Sequence, residues 1–201
     1  TLLRFIKKSS NFILHDLKLF KNKKGICFSY SPYEKDCCHN ANLLAAEILT
    51  KIAILNNDKN MLKTAQAAIK FSLYYQKQNG RWYYDINPKT GYEDKQTDFH
   101  QGFIIESLLE ILKYTNNNSI TKAIQKGMKF YQEEQFTLLG RAKWRYPYSW
   151  PTDIHNLSQG IITFSKMKSK KHLLFAQKIA SWTNKNMLDE KKLPKIFNDW
   201  E

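Results

Sequence analysis

One grammar occurs three times along this chain, and it restricts the fold more than any single residue does. Each copy is an aromatic-rich loop, a short gap, a histidine and then an apolar run of helical period. The first reads Phe28-Ser29-Tyr30-Ser31-Pro32, followed by Cys38-His39-Asn40-Ala41-Asn42-Leu43-Leu44. The second reads Arg81-Trp82-Tyr83-Tyr84, then Asp98-Phe99-His100-Gln101-Gly102-Phe103. The third reads Lys143-Trp144-Arg145-Tyr146, then Asp153-Ile154-His155-Asn156-Leu157. The histidines stand 61 and 55 positions apart, a period that fits two helices and two loops.

The helical runs are of two kinds. After His39 come Leu43, Leu44, Ile48, Leu49, Ile52 and Leu55, and after His100 come Ile104, Ile105, Leu108, Leu109, Ile111 and Leu112. These are apolar nearly all round, as in helices buried on both sides. The runs that follow are one-sided: Met61, Leu62, Ala65, Ala68 and Ile69 oppose lysines, and so do Ile120, Ala123, Ile124 and Met128. Leu173, Leu174, Ala176 and Ile179 repeat that pattern. A buried helix alternating with an amphipathic one predicts helical hairpins in two concentric layers. The fold class is therefore all-α, an α/α toroid, with residues 1–201 as a single domain. An opening helix over Leu2 to Phe20 is expected in the outer layer of a preceding hairpin. Short strands are expected only at Trp82 to Tyr84 and Trp144 to Tyr148. The chain supplies about three and a half hairpins, whereas a closed six-hairpin ring needs on the order of 350 residues. An incomplete ring, a fragment of a longer toroid, is the expectation.

Composition narrows the function classes. Apolar residues at 42% and aromatics at 14% are too many for disorder. No long uncharged apolar stretch predicts a membrane span. The net charge is +14, but only four of the 32 basic residues are Arg, and the lysines are scattered. Nucleic-acid binding prefers a clustered face rich in Arg, so no nucleic-acid partner is expected. Three cysteines, two of them adjacent, are no disulfide framework; a reducing, cytoplasmic location is expected. Seven glycines supply no phosphate loop or dinucleotide fingerprint, and no cofactor is expected.

Equivalent positions in equivalent hairpins lie at equivalent heights around one axis. His39, His100 and His155, each opening an inner helix, should thus line one mouth. Asp98 and Asp153 each precede a histidine by two, where the helix end holds a carboxylate ionised and keeps an imidazole neutral. Asp98, His100, Asp153 and His155 are the candidates for general acid–base catalysis. A structural alternative stands beside this: Asp is a favoured helix cap, and Asp98 with Gln101 resembles a capping box. Tyr30, Trp82, Tyr84, Trp144 and Tyr146 are candidates for stacking sugar rings, with His39 and Asn40 completing the binding set. Arg81, Arg141 and Arg145 share these loops. Of them Arg145 is the candidate contact for an anionic sugar. Cys37-Cys38-His39 carries zinc-type donors, yet adjacent residues rarely ligate one ion and no C-x-x-C spacing occurs. No metal site is therefore assigned.

These motifs resemble a bacterial family of α/α-toroid proteins encoded among polysaccharide-biosynthesis genes. The fold of that family is similar to the toroids of terpenoid cyclases, protein prenyltransferases and six-hairpin glycosidases. The resemblance rests on Phe28, Tyr30, Pro32 and His39-Asn40-Ala41-Asn42. In the second copy it rests on Gly80, Trp82, Tyr84 and Phe99-His100-Gln101-Gly102-Phe103, and in the third on Pro151, Asp153-Ile154-His155 and Gln159. It implies a carbohydrate context: a protein acting on a bacterial surface polysaccharide or its precursor by hydrolase, lyase or epimerase chemistry. Two alternatives stay open. One is a non-catalytic module binding glycans or a partner; the other is a zinc-dependent transferase like the prenyltransferase toroids.

Overall fold

The computed structural model describes residues 2–34, 36–87 and 89–188. They form seven α-helices and two short hairpins: α1 Leu2–Asn11, β1 Leu19–Asn22, β2 Gly25–Phe28, α2 His39–Leu55, α3 Lys59–Tyr74, β3 Asp85–Ile86, β4 Glu93–Asp94, α4 His100–Leu112, α5 Asn118–Gln135, α6 Ile154–Lys166 and α7 Lys170–Met187. The chain divides into two compact units, Thr1–Tyr131 and Gln132–Glu201.

In the first unit α2 packs on both α3 and α4, which is why its sequence is apolar nearly all round. Leu43, Ala46 and Leu49 have no exposure, and neither do Ile105, Leu108 and Ile111 of α4. On the solvent side, Lys51 of α2 bridges Glu47 (2.6 Å) and Glu110 of α4 (3.3 Å). The opening segment departs from expectation. Helix α1 ends at Asn11, a π-helical turn runs over Phe12–Asp16, and β1 then pairs with β2, Leu19 opposite Phe28 and Asn22 opposite Gly25. Leu17, Leu19 and Phe20 continue the helical period by coincidence. Gly25 ends that reading, because a tight hairpin there sets it against Ala67 and Phe71 of α3. Helix α1 also packs against inner helix α2.

In the second unit α6 packs on α7 around Phe136, Phe164 and Phe175, whose ring centroids lie 4.8 to 5.9 Å apart in edge-to-face contacts. Gly160 of α6 leaves the space that the Phe136 ring fills. Isolated bridges join Phe136 to Ala142 and Arg145 to Tyr148, the latter within the stretch where a strand is expected. The Trp82 to Tyr84 stretch stays irregular; the strand begins one residue later at Asp85.

The amide side chains at the inner helix starts hold the aromatic loops. Gln101 accepts from the Trp82 amide (3.1 Å) and donates to its carbonyl (2.8 Å). Asn156 donates to the Trp144 carbonyl (3.0 Å), and Asn42 accepts from the Phe28 amide (3.0 Å). Gln101 is thus spent on Trp82, and the capping box expected with Asp98 does not form.

Candidate functional site

In the first unit the N-terminal ends of the inner helices bring His100, with its partner Asp98, to one cavity with Asn40 and Tyr30, but not His39 or Trp82. His39 and His100 open α2 and α4, and Asp153 immediately precedes α6. At α4, Asp98 Oδ1 accepts from the His100 backbone amide (3.2 Å) and pairs with His100 Nδ1 (2.5 Å). Gln96 Nε2 donates to the other oxygen, Asp98 Oδ2 (2.6 Å). Burial of Asp98 works against its charge, but the hydrogen bonds from His100 and Gln96 prevail and hold its pKa below the ordinary carboxylate value. With Asp98 ionised, its Oδ1 accepts from His100 Nδ1–H, so proton exchange at this ring falls to Nε2.

His100 lines a cavity of about 970 Å³ within the first unit. Tyr30 and Asn40 stand on the same wall, and Leu44, Ile48, Phe99 and Phe103 continue it. The Tyr84 ring meets His100 edge-to-face at 4.7 Å, and Phe99 stacks on the imidazole at 4.3 Å. The cavity also takes Lys8 and Ser9 from α1, and Phe12 and Ile13 from the turn that follows. Helix α1 therefore walls an inner-helix cavity instead of standing in an outer layer.

Two expected binding residues lie elsewhere. His39 has no exposure: its Nδ1 is 3.3 Å from Ser72 Oγ, its ring sits between Phe71 and Tyr75, and no partner reaches Nε2. Burial, helped by the charge of Lys77, lowers its pKa to about 3. A neutral, sealed ring contacts no ligand in this conformation. Trp82 is equally buried, donating from Nε1 to the Ser72 carbonyl (2.8 Å) and lying against Gly127 of α5. It ties α3, α4 and α5 together in place of lining a rim.

The second unit repeats the clasp around its own helix. Asp153 Oδ1 accepts from the His155 amide (2.9 Å) and lies 3.2 Å from His155 Nδ1. Here the histidine side chain is 75% exposed, against 18% for His100. Arg145 lies over the Trp144 ring at 5.0 Å, and Tyr146 is half-buried in the same loop. Arg81 and Arg141 are already engaged, by Tyr83 Oη (2.9 Å) and the Ser149 carbonyl (2.8 Å).

The zinc donors do not converge. Cys38 donates its thiol to Asn40 Oδ1, while His39 turns to Ser72. Among the described residues no group of three or more His, Cys, Asp or Glu side chains is placed to hold a metal ion. Burial pushes the Cys38 thiol up to about 12, despite backbone hydrogen bonding and a bond from Tyr84, so it is no ready thiolate.

Neither a family model nor a curated protein matches the chain. Solved structures do match. A sugar epimerase from a ruminal bacterium superposes with a TM-score of 0.71 at 12% identity, over 94% of this chain and 56% of its own. The cellobiose 2-epimerase of Spirochaeta thermophila gives 0.67 at 10% identity, over 87% and 51%. An unsaturated glucuronyl hydrolase specific for heparin gives 0.67 at 13% identity, over 89% and 54%. The fold is an α/α toroid. These neighbours are six-hairpin glycosidase-like toroid proteins, and the chain spans about half the length of each. Among the described residues no helix is long and apolar enough to cross a membrane.

Sequence reasoning missed Lys8, Phe12 and Gln96. Gln96 carries a local signal, an amide two residues before the aspartate. Lys8 and Phe12 carry none, because nothing in α1 says which side of α2 it covers.

Proposed function

We propose that this chain belongs to a carbohydrate-active protein whose acid–base group is the Asp98–His100 pair. The observation that carries this reading is a histidine on a cavity wall with one nitrogen anchored by a buried carboxylate. That arrangement leaves Nε2 to take or return a proton on a ligand in the cavity, while Asp98 supports the imidazolium that forms. Tyr30 and Asn40 line the same cavity with hydroxyl and amide groups suited to sugar hydroxyls, and the Tyr84 ring abuts His100. The neighbours named as sugar epimerase, cellobiose 2-epimerase and glucuronyl hydrolase support a saccharide substrate, and proton transfer is common to epimerisation and hydrolysis. The Asp153–His155 clasp, with Trp144, Tyr146 and Arg145, is proposed as a second acid–base and stacking group within its own unit. A surface polysaccharide or its precursor is the substrate context we favour.

The test is a turnover screen on neutral and acidic disaccharides, following both epimerised and hydrolysed products. His100→Ala should lower kcat about a hundredfold or more, and Asp98→Asn should lower it and shift the acidic limb of the pH profile. Unchanged kcat in both variants removes the pair from the mechanism. Binding without turnover, lost in Tyr30→Ala and retained in His100→Ala, selects a glycan-binding module instead.

A further inference from the structure

The cavity beside His100 changes character along its length. One end, at the first turns of α2 and α4, offers Asn40 and His100, and Tyr30 also lines the cavity. Further down, the walls are Leu44 and Ile48 of α2, Phe103 of α4 and Phe12 after α1. From Asn40 to Ile48 the α-helical rise of about 1.5 Å per residue gives roughly 12 Å of depth. Over that length the polar side chain on α4 is Ser107, itself only 5% exposed, and α1 adds Lys8 and Ser9 to the lining. Leu44 and Phe103 are uncovered, at 53% and 43%; on α4 the other large apolar side chains are buried or half-buried, while on α2 Ile54 and Leu55 at its C-terminal end are exposed as well. A volume of about 970 Å³ also lies at the upper end of the range for pockets that enclose drug-sized ligands. A bare saccharide pushed to that depth would give up hydrogen bonds to water against walls that on α2 and α4 are almost wholly apolar.

We infer that the substrate of this site is an amphiphilic glycoside, a sugar held at the His100 end with an alkyl, aryl or acyl substituent lying along Leu44, Ile48 and Phe103. The inference rests on the carbohydrate reading above and names the substrate class for it. The gradient from polar to apolar along one cavity is what selects this occupant. A packing helix would need apolar surface at both ends, and Asn40 and His100 would be left facing it. The uncovered aromatic and aliphatic side chains then gain their cover from the substituent, at about fourfold in affinity for each methylene buried.

Calorimetry with methyl and octyl glucoside and with methyl and octyl glucuronide, the octyl compounds below their micelle concentrations, tests this. Octyl glycosides should bind at least about tenfold more tightly than their methyl counterparts. Leu44→Asp should bring that ratio close to one. Phe12→Ser, on a different and exposed element, should reduce it as well, which guards against a folding defect in the first variant. Equal affinity for methyl and octyl glycosides overturns the inference and leaves the carbohydrate reading standing. Octyl tetraethylene glycol binding as tightly as octyl glucoside overturns the carbohydrate reading, and so does failure of every glycoside to bind; the inference falls with it. A Leu44→Asp protein that changes from dimer to monomer by light scattering, with the octyl preference intact, gives this surface to a second copy and overturns the inference.

Discussion

His39 and His100 occupy the same position in successive repeats and have opposite fates. His100 keeps a carboxylate partner and an open edge; His39 has Cys37 where Asp98 would be and is sealed between Phe71 and Tyr75. With its pKa lowered to about 3, His39 stays neutral in the folded protein while the unfolded chain takes up a proton near pH 6.5. The unfolded state therefore binds more protons between those values, and stability falls as pH drops through that window, by about 1.4 kcal/mol per pH unit. His39→Gln, which keeps a polar group for Ser72 but does not titrate, removes this loss. Urea unfolding at pH 7, 6, 5 and 4 should show the variant gaining on the parent at each step. Parallel stability curves would mean that His39 titrates normally. Residue identity alone could not separate these two histidines, because the signal is the side chain two positions earlier and the packing behind it.

Much at the level of elements was legible in advance. The inner helices begin at or next to the recurring histidines, where the apolar runs start; Asp153 caps α6, whereas Cys38 and Phe99 before α2 and α4 make no side-chain cap bond. The apolar faces of α2 meet α3 and α4 as expected, but two-sided burial is incomplete: Leu44, Leu55 and Phe103 stay exposed, and so do Ile154 and Ile162 of α6. What escaped is long-range: the hairpin after α1, and the seating of Gly25, Gly80 and Gly140 against α3, α5 and α7. Each of these glycines opens an aromatic loop and lies where a side chain would strike the backbone of the outer helix. Nothing within a local window reports that contact. Gly80 has φ of 96°, and a Cβ there would stand 2.1 Å from the Lys126 carbonyl oxygen. Gly91 has φ of 72° but faces open space. Gly80→Ala should therefore cost about 2–4 kcal/mol, and Gly91→Ala about 1 kcal/mol from backbone strain alone. Chemical denaturation of the two variants isolates the close approach, and equal losses would show that Gly80 does not pin its loop to α5.

Over the whole molecule the excess of positive charge acts on encounter more than on fit. Arg81 and Arg141 are held by hydrogen bonds, so in the cavity of the first unit specific contacts fall to Lys8 and to polar groups such as Tyr30 and Asn40. The remaining lysines, scattered over a chain of net charge +14, set up a field that reaches about one Debye length, some 30 Å at 0.01 M salt and 8 Å at 0.15 M. An acidic saccharide should therefore associate several-fold more slowly at 0.15 M than at 0.01 M salt, while a neutral saccharide of the same size should show no change. Stopped-flow binding of a matched uronide and glucoside measures both rates. A uronide rate indifferent to salt would mean the lysines serve solubility only, and the preference between acidic and neutral sugars would then have to come from groups inside the cavity.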